Sequence, residues 1–386
     1  MQRSLKRALG LGLLLLGTTT GCESEETIRL SSDLQGPLLV AVDSILISEA
    51  DTLYLGDPFT PAIDPYDGSF YISDEFAKRV VRFNRAGDVM RTYGRPGGGP
   101  GELQGSGLVF VLNDSTVVVE DWAVERMQIF NRQSGEYRGE QSFPGIAGLT
   151  PPVARNGYLW FPVVNRERRL ALGRWNLRED TVETLGDMPR EYHVSAIGGR
   201  PGYANNMIFG ALTFADGKLV RGWQPRNDLI LYDLADARVV DTLDIPTIRR
   251  RGVPDNLRYL YDVKGATGRE RLTINSRLRQ LHTLPEGGLA FTHHDQVILS
   301  LDGPRPIIAA HVWLGVISPD LDRACVDTPV PASLDARSME TFRGDTLFVL
   351  DRRIVDDALK TWIKMYRIDT AQCDWIPVSR GRTAPG

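Results

Sequence analysis

An all-β fold, made of six small four-stranded antiparallel sheets closed into a ring, is predicted by three features of this 386-residue sequence. One unit recurs at a fixed spacing. Asp74, Arg79, Phe83 and Asn84 in ISDEFAKRVVRFNRAG reappear 47 residues further on as Asp121, Arg126, Phe130 and Asn131 in VEDWAVERMQIFNRQSG. A looser pattern of short strand, polar turn and second apolar strand occurs six times, starting at Ala62, Leu108, Pro152, Leu212, His282 and Glu340. Within these segments apolar and β-branched residues alternate with polar ones, the period of a half-buried strand. A repeat of this length is one supersecondary unit that hides its apolar faces only against copies of itself. Six such units of roughly 40–50 residues fit between Pro37 and Val378 as a six-bladed β-propeller. Closure of the ring removes the open sheet edges that would otherwise invite aggregation.

The first element is a leader. Arg3, Lys6 and Arg7 precede an apolar run from Ala8 to Gly17, too short to span a bilayer and suited to export. Thr19-Thr20-Gly21-Cys22 resembles the lipobox of bacterial lipoproteins, with Thr19 where that family usually carries Leu. The resemblance implies that residues 1–21 are a signal peptide and that Cys22 is acylated. Several acyl chains, at roughly 0.8 kcal/mol per buried methylene, hold a membrane stably where one is marginal. Glu23 in place of Asp after the cysteine implies, by the same resemblance, the outer membrane rather than retention in the inner one. The polar, charge-rich stretch that completes residues 22–37 reads as a tether, ahead of a propeller over 38–379 and a tail over 380–386. No later segment has eighteen uninterrupted apolar residues. Loss of Arg3, Lys6 and Arg7 with the leader takes the formal charge from −4 to −7, which disfavours nucleic acid as a partner.

The glycine-rich YGRPGGGPGEL, Tyr93 to Leu103, raises the question of a phosphate cradle. A P-loop needs Lys after its second spaced glycine, and Pro100 stands there instead. A dinucleotide fingerprint needs Gly-x-Gly-x-x-Gly opening a helix, whereas Gly97, Gly99 and Gly101 lie two apart and Pro100 lacks an amide. The unit containing this stretch resembles the NHL-type repeat of β-propellers. In that repeat a strand ends in Asp, Arg opens the next strand, and a Gly-Pro-Gly-Glu-Leu connector leads to the following blade; here the connector is Gly99 to Leu103. The resemblance covers Pro61 to Tyr137, about two blades, and implies that the stretch is an inter-blade crossing. The Asp74/Arg79 and Asp121/Arg126 pairs recur at equivalent positions, which marks them as braces for the turn between second and third strands rather than as a catalytic pair.

Two segments compete to seal the ring: Asp51 to Asp57, with Leu53 to Leu55 expected to pair beside the last blade, and Cys373 to Val378. After Cys22 only Cys325 and Cys373 remain, and an even pair in an exported protein argues for one disulfide. The absence of Cys-x-x-Cys excludes zinc-ribbon and thioredoxin-like chemistry.

Functional residues are sought in the insertions, because surplus residues in a repeat array go to loops. Spacing between successive turns rises from 46 and 43 residues to 60, 70 and 57, locating surplus at Met188 to Phe209, Ile245 to Leu281 and Trp313 to Ala336. The second insertion carries Arg249, Arg250, Arg251, Arg258, Tyr259 and Tyr261, a set suited to an anionic or sugar-like ligand through forked hydrogen bonds and ring stacking, or equally to a solvated basic loop. Arg269 to Leu281 reads as a short helix over the channel mouth or on the surface, from Leu272, Ile274, Leu278 and Leu281. Trp122 is the aromatic expected at a propeller surface, with core packing as its alternative. Adjacent strand residues point to opposite faces, so His293 and His294 do not share one ion and read as a strand-end pair facing solvent. No Gly-x-Ser-x-Gly elbow is present. The expectation is a lipid-anchored envelope module without cofactor or metal that binds or scaffolds a protein, peptide or glycan. The alternative is a metal-dependent propeller enzyme, lactonase-like or a lyase, acting at the central channel.

Overall fold

The computed structural model describes residues 38–49, 53–142, 152–165, 169–187, 210–223, 227–247, 277–300, 307–331 and 339–381. The leader, Cys22, the tether, and Arg249, Arg250, Arg251, Arg258, Tyr259 and Tyr261 lie outside these residues. Every regular element among those described is a strand, and the strands form six sheets.

Five blades are built in chain order, from an innermost strand A to an outer strand D. Blade 1 holds β2 (Ala62–Ile63), β3 (Phe70–Asp74), β4 (Arg79–Phe83) and β5 (Val89–Tyr93). Blade 2 holds β6 (Ser106–Asn113), β7 (Thr116–Asp121), β8 (Arg126–Asn131) and β9 (Tyr137–Ser142). Blade 3 holds β10 (Val153–Arg155), β11 (Tyr158–Asn165), β12 (Leu170–Asn176) and β13 (Thr181–Asp187). Blade 4 holds β14 (Gly210–Ala215), β15 (Lys218–Trp223), β16 (Asp228–Tyr232) and β17 (Val239–Asp244). Blade 5 holds β18 (Arg277–Thr283), β19 (Leu289–Ser300), β20 (Ile307–Ile317) and β21 (Arg323–Pro329). All six patterns read from the sequence are the A–B hairpins of successive blades.

Blade 6 takes β22 (Met339–Arg343), β23 (Thr346–Val355) and β24 (Ala358–Ile368) from the end of the chain and its outer strand, β1 (Leu39–Leu46), from the beginning. This corrects the expected closure. Leu53 and Leu55 are buried beside blade 6 without joining its ladder, because β24 already pairs from Ile368 to Trp362 with Leu39 to Leu46. The competing C-terminal segment supplies fifth strands instead. β25 (Ile376–Pro377) pairs with β21, and β26 (Ser379–Gly381) pairs with β17, so the expected tail begins inside a sheet. A Cys325–Cys373 disulfide pins this strap to blade 5.

The expected helix is also corrected over its described part, since Arg277 to Leu281 belongs to β18. Leu278 and Leu281 are three apart and both buried, a helical signature. A register shift between Leu278 and Gln280 produces the same spacing by turning two nearby residues of a strand to one side.

The core is divided as a repeat array requires. Six apolar clusters are found among the described residues, one at each blade junction. Val81 and Phe83 of blade 1 meet Leu350 and Ile363 of blade 6, and Leu229 and Leu231 of blade 4 meet Leu289 and Phe291 of blade 5. Each blade therefore buries its faces only against its neighbours. Two glycines let core rings lie across their own blades: a Cβ on Gly173 would lie 2.1 Å from the ring of its cross-strand partner Phe161, and one on Gly315 would lie 2.2 Å from its partner Phe291.

Antiparallel connection places all A–B turns at one end of the channel and all B–C turns and D–A connectors at the other. The chain enters the ring at the A–B end. There Leu39 pairs with Ile368, whose amide donates to the Asp345 carbonyl in the blade 6 A–B turn.

Candidate functional site

The connector Arg95 to Leu103 answers the phosphate question chemically. The Glu102 carboxylate accepts from the Gly99 amide at 2.9 Å and from Arg95 Nε at 3.0 Å. A Cβ on Gly97 would fall 2.1 Å from Glu102 Oε2, at a φ of +150°. The glycines thus wrap an anion, but the anion is the chain's own, and the Gly99 amide together with Arg95 draws the Glu102 carboxyl below its ordinary range.

At the same end the recurring Asp residues hold connector and turn together. Asp74 accepts from the amides of Asp57 at 3.0 Å, Gly56 at 3.3 Å and Ala77 at 3.3 Å, with Arg79 at 3.8 Å. Asp121 accepts from the Gly105 amide at 2.8 Å and from Arg126 at 3.1 Å, while Arg126 also donates to the Glu102 carbonyl. Both carboxylates are fully buried. They tie the incoming connector to the B–C turn of the blade it enters, a wider span than the turn alone.

Aligned on their A–B turns, the six blades place Asp74, Asp121, Val163, Trp223, His293 and Asp351 at this one position of strand B. Blades 1, 2 and 6 keep the carboxylate, whereas blades 4 and 5 replace it with an indole and an imidazole. Around that replacement lies a group of buried polar side chains. Arg221, fully buried, stacks on the Trp223 ring at 3.5 Å. Glu340, on the innermost strand of blade 6, accepts from Thr292 Oγ1 at 2.6 Å and lies 3.0 and 3.1 Å from His294 Nε2. Burial alone would raise the Glu340 carboxyl, but the charge and hydrogen bond of His294, the Arg279 charge and the Thr292 hydroxyl bring it below its usual range. Burial lowers the Arg279 guanidinium, with Glu340 opposing. His293 stacks over Phe291 and lies 3.8 Å from Asp327, which accepts from Thr247.

The imidazoles are corrected from the solvent-facing pair expected of them. Both are buried, because β19 runs on to Ser300 rather than ending at His294. They do diverge, toward Asp327 and toward Glu340. Among the described residues no group of three or more His, Cys, Asp or Glu is placed to hold a metal. Glu340, Thr292, Arg279 and Arg221 carry no motif that marks them in the sequence. The available signal was a charged residue at an apolar position of an inner hairpin, as with Arg221 where blade 1 has Ile72.

Trp122 is 55% exposed on the B–C turn of blade 2, its indole N–H donating to Glu75 of blade 1 at 3.2 Å. It belongs to a row. Phe76 is 78% exposed on the B–C turn of blade 1, Ile354 is 75% exposed at the end of the blade 6 B–C ribbon, and Tyr54 on the connector into blade 1 and Val124 on the blade 2 turn are exposed at the same end. Gly56 beneath Phe76 and Gly105 beneath Trp122 let the connectors pass under these aromatics, since a Cβ at either glycine would lie 2.8 Å from the aromatic side chain.

No family model matches the chain, and no curated protein matches it. Among solved structures it is similar to a member of the duf4221 family from Bacteroides vulgatus, at TM-score 0.59 and 12% identity over 86% of this chain and 98% of that one. It is also similar to a Bacteroides fragilis protein named "Putative exported protein", at TM-score 0.55 and 11% identity over 87% of this chain and 96% of the other. At such identities the likeness is one of fold, a six-bladed ring of four-stranded blades.

Proposed function

We propose that this chain is a lipid-anchored, NHL-like propeller of the bacterial envelope that binds or scaffolds a protein, peptide or glycan partner. In this reading residues 1–21 are removed, Cys22 carries the acyl chains, and residues 22–37 tether the ring to the outer membrane. The name of the exported Bacteroides fragilis protein is consistent with that address. The observation that carries the reading is the row Tyr54, Phe76, Trp122, Val124 and Ile354 at the B–C end, opposite the end where the chain from Cys22 enters. Exposed apolar groups grouped on one face mark interaction surfaces in soluble bodies, whereas scattered ones do not.

The test has two arms. Metabolic labelling with an alkyne fatty acid should mark the wild-type chain and leave Cys22→Ser unmarked. Crosslinking in intact envelopes should give a discrete adduct that Phe76→Ser with Trp122→Ser abolishes. Labelling that persists in Cys22→Ser removes the anchor, and an adduct indifferent to the double substitution moves the partner to another surface.

A further inference from the structure

We propose that a cavity of about 310 Å³ at the A–B end, between blades 5 and 6, is a binding site for a neutral saccharide of one or two rings. The assignment rests on the binding-module reading only in naming a ligand class for such a module, at a site apart from the apolar row. Its volume falls at the lower limit of the ~300–1,000 Å³ found for small-molecule pockets. Val316, Ile317 and Ile368 form a buried apolar floor. Trp375 is one wall, held by the strap that the Cys325–Cys373 disulfide fastens. Glu286 and Asp345, on the A–B turns of blades 5 and 6, stand at the rim with Arg323.

The rim decides the class of ligand. An anion would meet Glu286 and Asp345, and a cation would meet Arg323. Hydroxyl groups both donate and accept, so a polyhydroxylated neutral ligand meets carboxylate and guanidinium without a like charge. Several rim groups are uncommitted. Among the described residues the Glu286 carboxylate, the Thr370 hydroxyl and the Trp375 indole N–H have no hydrogen-bond partner. By contrast, the Ser318 hydroxyl is already engaged with Asp322 at 2.8 Å. Arg323 lies over the Trp375 ring at 5.5 Å and pairs through Nε with the Asp322 carboxylate at 3.5 Å, an exposed pair at the rim. An indole beside an apolar floor suits the C–H face of a sugar ring, while the rim reads its edge.

Calorimetric titration of the full chain in detergent with neutral mono- and disaccharides should show saturable binding for at least one, at about millimolar Kd or tighter. Matched sugars bearing a carboxylate or an amine should bind more weakly. Glu286→Gln and Asp345→Asn, both on exposed turns, should each weaken binding about tenfold, the usual loss with one charge-assisted hydrogen bond. Binding should change tryptophan emission in the wild type and not in Trp375→Phe. No saturable binding of any neutral sugar overturns the proposal, as does preference for a charged sugar or unchanged affinity in both carboxylate variants. The envelope adduct of the apolar row is read separately: its loss with sugar binding intact counts against that row alone.

Discussion

Blades 1 and 2 differ from blades 4 and 5 in what they do with buried charge. At the junction of blades 1 and 2, Asp64 is shared by Arg132 Nε at 2.7 Å, Arg82 at 3.2 Å and the Tyr71 hydroxyl at 3.2 Å. Arg82 and Tyr93 both donate to the Arg132 carbonyl, at 3.0 and 2.6 Å. This clamp is closed on itself, and it repeats the logic of the Asp74 and Asp121 braces. Blades 4 and 5 have given up the brace position to Trp223 and His293, and their charges lie along the inner strands instead. The difference teaches that within one ring the regular blades spend polar residues on holding their neighbours, and the irregular ones release that position for other chemistry.

Largest in expected effect is the strap. Cys373→Ser opens a closed loop of 48 residues, and loop-closure entropy puts the loss at about 4 kcal/mol, reproduced in the wild type by a reductant. The most direct way to break the comparison comes next in size, Asp64→Ala. It takes from two buried guanidiniums the buried one of the two carboxylates they share, with Asp67 left at the more exposed side, and should cost about 3 kcal/mol in urea unfolding. If the loss equals that of a surface substitution, the clamp is not what holds the regular half.

A third test uses pH to set blade 2 against blade 6. Glu120 is fully buried, and burial pushes its carboxyl up to about 7, with the Leu108 amide opposing and Asp121 adding to the rise. Between pH 4.5 and 7 the native chain keeps a proton there that the unfolded chain has shed, so stability falls as pH rises through that window. Glu120→Gln should recover about 3 kcal/mol at pH 8 and little at pH 4, measured as urea midpoints. Glu340 has the opposite sign. Its lowered carboxyl contributes stability above the unfolded value of 4.5 that is lost as pH falls through the folded one, so Glu340→Gln should flatten the acid limb. Smallest of all, Trp122→Ala should move stability by no more than about 0.5 kcal/mol while affecting partner binding, which separates a recognition residue from a structural one.

Much of the ring was legible because its signals are local. A–B hairpins announce themselves by alternation and turn residues, and the connector by its glycines and prolines. What escaped depended on distant partners. The alternating LVAVDSIL of β1 carries no mark that its ladder lies with β24 at the other end of the chain. Leu278 and Leu281 imitated a helix because a strand irregularity yields the same three-residue step. His293 and His294 read as a strand end because nothing in their own neighbourhood shows that β19 and β20 continue as a long ribbon, with Asp295 opposite His311. Glu340 takes its meaning from residues about fifty positions earlier, Thr292 and His294.

The union of β1 with β24 sets an order of events during synthesis. The segment that completes the circle is made before every other strand and waits, its backbone groups bonded to water, until almost all remaining residues have been made. Such distant pairing is slow to find. A nascent chain cut short before Ile368 lacks the far end of the seam, so premature termination should give an open, sticky arc rather than a smaller working circle.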